Sequence, residues 1–158
     1  VEHVTKANGT IAVIETQTLV YREAAAPDAP LSPPPGEGSF DSAGWDAHRT
    51  LSPDARLLFR YSALTFNTHR IHYDAPYAVE TERYRGLVVH GPLTASLLLQ
   101  LAAQALGENR LRSFSFRGLS PAIAGEPLHL VMRKGEAGYD LAAFAGDGRQ
   151  VTQASAAV

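Results

Sequence analysis

Residues 91–106, Gly-Pro-Leu-Thr-Ala-Ser-Leu-Leu-Leu-Gln-Leu-Ala-Ala-Gln-Ala-Leu, constrain the fold more than any other stretch. Proline at the second position and Gly107 just beyond the end mark a helix start and stop. Leu93, Leu97, Leu98, Leu99, Leu101, Ala102 and Leu106 make it apolar nearly all the way round, so it must be covered on several sides. Thr94, Ser96, Gln100 and Gln104 interrupt the run, which falls short of the roughly 20 apolar residues that cross a bilayer. No membrane partner is expected.

The residues behind this helix supply the cover. Phe114 and Phe116 alternate with Ser113, Ser115 and Arg117, and Leu128, Leu130 and Met132 alternate with His129, Val131 and Arg133. Gly135-Glu136-Ala137-Gly138 turns the chain into Tyr139, Leu141 and Ala143, and Gly146-Asp147-Gly148 turns it again into residues 150–158. Short glycine turns between strands favour antiparallel neighbours. One buried helix followed by an antiparallel meander predicts an α+β fold in which the sheet wraps a central helix, the hotdog architecture.

Upstream, Ser52-Pro53-Asp54 reads as a helix start with Ser52 as cap, and Leu57, Leu58, Tyr61 and Leu64 carry an apolar face to about Thr65. Asp74-Ala75-Pro76 repeats the pattern for a short helix through Glu80. Residues 24–50 hold Pro27, Pro30, Pro33, Pro34, Pro35, Gly36, Gly38 and Gly44 and are expected to be a linker between two units, with Trp45 anchoring its end. Residues 1–22 alternate like strands, with a hairpin of 1–6 and 10–21 across Ala7-Asn8-Gly9. Gly9…Thr16-Gln17 faintly echoes Gly148…Thr152-Gln153, and the chain begins with Val1 rather than Met. The expected organisation is 1–23 as terminal strands of an incomplete N-terminal hotdog unit, 24–50 as linker and 51–158 as a hotdog domain.

The chemistry concentrates in Leu64-Thr65-Phe66-Asn67-Thr68-His69-Arg70-Ile71-His72-Tyr73-Asp74, answered by His90-Gly91-Pro92. An imidazole with a pKa of about 6.5 takes and returns a proton near neutrality, and His72 is the candidate, with His69, His90 and Asn67 close in the pattern. The alternative is a structural histidine. Gly91 would offer an unsatisfied N–H at the positive end of the central helix, where a developing oxyanion is stabilised; alternatively it merely permits close packing. A metal held by His69, His72, His90 and Asp74 ranks below acid–base catalysis: 69 and 72 have a plausible i, i+3 spacing, but no common binding signature matches and no cysteine helps. Arg70, Arg83, Arg85 and Arg117 are candidates for carrier phosphates, although each singly reads better as a solvated surface group. Net charge is −2 with no long basic run, which argues against nucleic acid. The absence of cysteine excludes disulfides, thiolate zinc sites and cysteine nucleophiles, and no Gly-x-Ser-x-Gly elbow marks a serine hydrolase.

The 64–74 segment and Leu87-Val88-Val89-His90-Gly91 resemble the MaoC-like enoyl-thioester hydratases and dehydratases. The run Phe59-Arg60-Tyr61-Ser62-Ala63-Leu64-Thr65-Phe66-Asn67 is similar to the branch with mesaconyl-CoA hydratases and mitochondrial-type 3-hydroxyacyl-thioester dehydratases. Residues 15–23 resemble the end of that branch's N-terminal hotdog unit. The resemblance implies reversible hydration of a 2-enoyl thioester, without metal or redox cofactor. His72 falls on the catalytic histidine and Gly91 on the oxyanion glycine. Asn67 falls where the family usually has an aspartate, and His69 replaces the usual asparagine. His72 would then be base and acid, and Asn67 would orient water. Ser62, His69, Arg70, His90 and Arg117 would surround the substrate, an acyl thioester of coenzyme A or acyl carrier protein. A homodimer or double-hotdog pairing and a cytoplasmic location (mitochondrial in a eukaryote) complete the expectation. A non-catalytic hotdog subunit and a hotdog thioesterase are the alternatives.

Overall fold

The computed structural model describes residues 1–21 and 23–158. The chain opens with a hairpin of β1 (Glu2–Ala7) and β2 (Thr10–Thr16). Asn8 and Gly9 take φ of 50° and 80° at its tip, as the Asn-Gly signal requires. β2 ends at Thr16 rather than near Tyr21; its last rung pairs Thr16 with Glu2, and Gln17 N–H bonds Val1 O. Arg22, within the stretch expected to end the first unit, lies outside the described residues.

The expected linker is structured at its end. β3 (Ala47–Leu51) is the edge strand of the main sheet, so that sheet starts before residue 51. Its signal was masked by the proline-rich run before it and by polar residues on both faces: Ala47, Arg49 and Leu51 are half-buried, His48 and Thr50 exposed. The segment before β3 lies against the sheet too. Gly36 N–H bonds Asp147 Oδ2 at 3.0 Å, Phe40 stacks on His129 at 4.3 Å, and Trp45 meets Phe144 edge-on.

Helix α1 (Ala55–Thr65) is capped by Asp54, whose Oδ1 accepts from Leu57 N–H at 2.9 Å; the cap sits two residues beyond Ser52. A 3-10 turn (Arg70–His72) and a wide helical turn (Tyr77–Thr81) follow, the latter preceded by Asp74, whose Oδ1 accepts from Tyr77 N–H. Helix α2 (Gly91–Leu106) ends at Gly107 as expected.

After α2 come β4 (Ser113–Gly118), β5 (Leu128–Lys134), β6 (Tyr139–Ala145) and β7 (Gln150–Ala157). With β3 they form one antiparallel sheet in the order β3-β5-β6-β7-β4. This is the hotdog fold. Leu93, Leu97, Leu98 and Leu101 of α2 pack against Leu128, Leu130, Leu141, Ala143, Ala145, Ala154 and Ala156. Alanines on the sheet face let the leucine-rich helix approach closely. The polar interruptions of α2 prove informative: Ser96, Gln100 and Gln104 share an exposed stripe with Pro92 and Leu99, so the helix is covered on its other sides only. Among the described residues no helix is long and apolar enough to cross a membrane.

Candidate active site

The site is built where α1 ends and α2 begins. Phe66 leaves α1 in the left-handed region (φ 52°), and both its N–H and that of Asn67 bond Ser62 O. Asn67 Oδ1 then accepts from His69 N–H at 3.0 Å, which closes the loop locally. The 3-10 turn sends Ile71 into a small core with Ala78, Tyr84, Val88 and Ile123. Val88 N–H bonds Ile71 O at 2.9 Å, so this turn is tied to the segment that leads into α2.

His72 is only 7% exposed. Its Nδ1 lies 2.7 Å from Val88 O. A carbonyl only accepts, so Nδ1 carries the hydrogen and Nε2 holds the free lone pair. The ring stacks on His90, with centroids 3.6 Å apart and planes within 18°. His90 is fully buried; its Nε2 lies 2.9 Å from Ser62 Oγ, and Tyr61 meets its ring edge-on. Burial pushes the His72 pKa down, against the opposing bond to Val88, with nearby His69 adding to the fall. Burial and then His72 push His90 down to about 4. Both rings are neutral at neutral pH, and Nε2 of His72 is available as a base.

His90 is the extended residue before α2, and the first helical bond runs from Thr94 N–H to its carbonyl. Gly91 and Leu93 therefore begin the helix with N–H groups that take no carbonyl within it, while Pro92 has none to offer. A Cβ on Gly91 would meet nothing within 4 Å. Close packing does not explain the glycine; it leaves open space beside an unsatisfied donor.

The structure thus gathers His72, His90, Ser62 and Gly91, with His69 exposed and perpendicular to His72 at 5.6 Å between centroids. The other substrate-side candidates are placed as follows. His90 has no exposed surface and its Nε2 pairs with Ser62 Oγ, while Ser62 is as little exposed as His72 itself. Arg70 is paired with Asp74 at 2.7 Å and lies over the Tyr77 ring. Arg117 stands exposed on β4, which carries none of the other candidates. Arg83 bonds Ala29 O and Arg85 bonds Glu126, so neither is a free phosphate ligand. Among the described residues no three His, Asp or Glu side chains are placed to hold a metal, since Asp74 is engaged and the stacked rings of His72 and His90 do not converge. Sequence reasoning missed the Val88 carbonyl that sets the His72 tautomer. A backbone acceptor has no side-chain signature.

Comparison with known proteins follows this geometry. A family model described as hydroxyacyl-thioester dehydratase type 2 matches residues 1–124. The chain is 43% identical over 148 residues to the mesaconyl-C(4)-CoA hydratase of Chloroflexus aurantiacus, covering 92% of this chain and 50% of that protein. It is 34% identical over 125 residues to the mitochondrial hydroxyacyl-thioester dehydratase type 2 of Schizosaccharomyces pombe, covering 76% and 39%. The chain thus spans half or less of these relatives' lengths. An (R)-hydratase from A. caviae has the same fold, with TM-score 0.62, 22% identity and coverage of 70% of this chain and 89% of that one. An R-hydratase from Pseudomonas aeruginosa matches with TM-score 0.61 and 24% identity, over 70% and 76%.

Proposed function

The chain belongs to the hydroxyacyl-thioester dehydratase type 2 family, and from that premise we propose that it catalyses reversible hydration of a 2-enoyl thioester, a coenzyme A ester in the first instance. The observation that carries this reading is the neutral His72, its Nδ1 committed to Val88 and its ring stacked on His90, the residue that leads directly into Gly91 and the start of α2. In hydration, water attacks the β-carbon and His72 Nε2 takes its proton. The double-bond electrons move to the thioester carbonyl, whose oxygen is held by Gly91 N–H at the positive end of α2. Asn67 orients the water through its amide N–H groups, since its Oδ1 is engaged by His69 N–H. The proposal includes a homodimer or double-hotdog pairing. It also includes a cytoplasmic setting, or a mitochondrial one in a eukaryote, in line with the relatives named mitochondrial.

Asn67 also favours a second reading, a non-catalytic hotdog subunit, because an amide cannot accept a proton at neutral pH. The test follows loss of enoyl-thioester absorbance with crotonyl-CoA and mesaconyl-CoA. The parent is expected to be active and His72→Ala to fall by about 10²–10⁴. Gly91→Pro deletes the N–H at a helical position that tolerates proline, after a residue already extended as proline requires, and is expected to lose about 10²–10³ in kcat. Gly91→Ala keeps the N–H and controls for bulk. A folded parent inactive on both esters supports the non-catalytic reading, and release of free thiol instead indicates a thioesterase.

A further inference from the structure

Adding water across a double bond moves two protons: one leaves the water and one arrives at the α-carbon. His72 has a single free nitrogen, because Nδ1 is bound to Val88 O at 2.7 Å. If it worked alone, Nε2 would collect a proton at one carbon and deliver it at the next.

The surroundings of His72 narrow the choice of a second proton carrier. His90 has no exposed surface, and burial holds it down to about 4. Tyr73 donates its hydroxyl to Thr68 O at 2.9 Å. Asp74 is paired with Arg70, which with Tyr77 N–H holds its carboxyl below the usual range. Asn67 does not titrate. His69 alone in this group is titratable, open to solvent and without a side-chain bond that occupies it in the described set. Asn67 Oδ1 pins its backbone N–H at 3.0 Å, and its ring stands perpendicular to His72 with centroids 5.6 Å apart. Two imidazoles so close can border one bound molecule.

We propose that His69 is the second acid–base group of the site, protonating the α-carbon in hydration and removing that proton in dehydration, while His72 serves the water. The assignment rests on the hydration reading above. The water oxygen forms its bond to the β-carbon, the π pair moves through the α-carbon to the carbonyl oxygen, and the water's proton passes to His72 Nε2. The enolate then returns its pair to the α-carbon, which takes a proton from a ring N–H of His69. His69 regains a proton from solvent and His72 releases one, so the net change is one added water. Like charge couples the two rings: protonated His69 disfavours a charge on His72 and keeps it a base.

The experiment measures kcat/KM for crotonyl-CoA hydration against pH in the parent, His69→Gln and His69→Ala. His69 is exposed, so both variants keep the fold. The parent's rate is expected to fall on the acid side as His72 protonates. His69→Gln is expected to lose about 10²–10⁴ across the whole profile. Added imidazole should restore part of the His69→Ala rate, which a merely structural role would not allow. An active parent with His69→Gln within about twofold of it overturns this assignment and leaves the hydration reading standing. An inactive parent overturns the hydration reading and the His69 role together.

Discussion

His72, His90 and His129 share one physical condition: burial pushes each pKa below the ordinary histidine value. The unfolded chain binds protons more readily than the folded one at these sites. Their contribution to stability is therefore present above about pH 6.5 and is lost as pH falls through the folded values. For His90 the change from 6.5 to about 4 corresponds to roughly 3 kcal/mol once pH is below the folded value. The stack with His72 strengthens the effect, since a proton on either ring opposes one on the other. Urea unfolding is expected to show midpoints that decline steadily between pH 7.5 and pH 4. A flat profile would mean that these rings are not held neutral by the fold.

Helix α1 tests a local reading at the scale of an element. Ser52-Pro53 has the composition of a helix start, yet the observed cap is Asp54, which accepts from Leu57 N–H. Proline at 53 then precedes the cap instead of opening the helix. Asp54→Ala is expected to lower Tm by a few degrees, whereas Ser52→Ala leaves it nearly unchanged. Thermal unfolding followed by circular dichroism distinguishes them, and the reverse ranking would restore Ser52 as the cap. The same helix shows why the site needs more than one element. Ser62 faces inward to reach His90, three positions before the end of α1, and the left-handed Phe66 then swings the chain toward His72.

On the scale of the molecule, two features are left uncovered by a single chain. Every residue of β1 and β2 is exposed, including Val4, Ile11, Val13 and Ile14, and a two-stranded hairpin alone is marginally stable. β4 is an edge strand with Phe116 42% exposed and Leu119 just beyond it 46% exposed. Pairing with a second copy would cover such surface. Light scattering is expected to give a mass at least twice that of one chain, and a strictly monomeric mass would count against the pairing proposed above.

Patterns between near neighbours were enough to determine the central helix 91–106, the alternation of the last four strands, the Asn-Gly hairpin and the cluster His69, His72, His90 with Gly91, because propensity, periodicity and turn chemistry act over a few residues. Tertiary structure alone decided the rest. β3 became a strand because β5 offers it a ladder, not because Ala-His-Arg-Thr-Leu insists on one. His90 became fully buried because Ser62 of α1 and His72 of the 3-10 turn pack on it. The tautomer of His72 was decided by a carbonyl sixteen residues away. Burial and hydrogen-bond partners are set by what the folded chain brings close, and no local pattern carries that information.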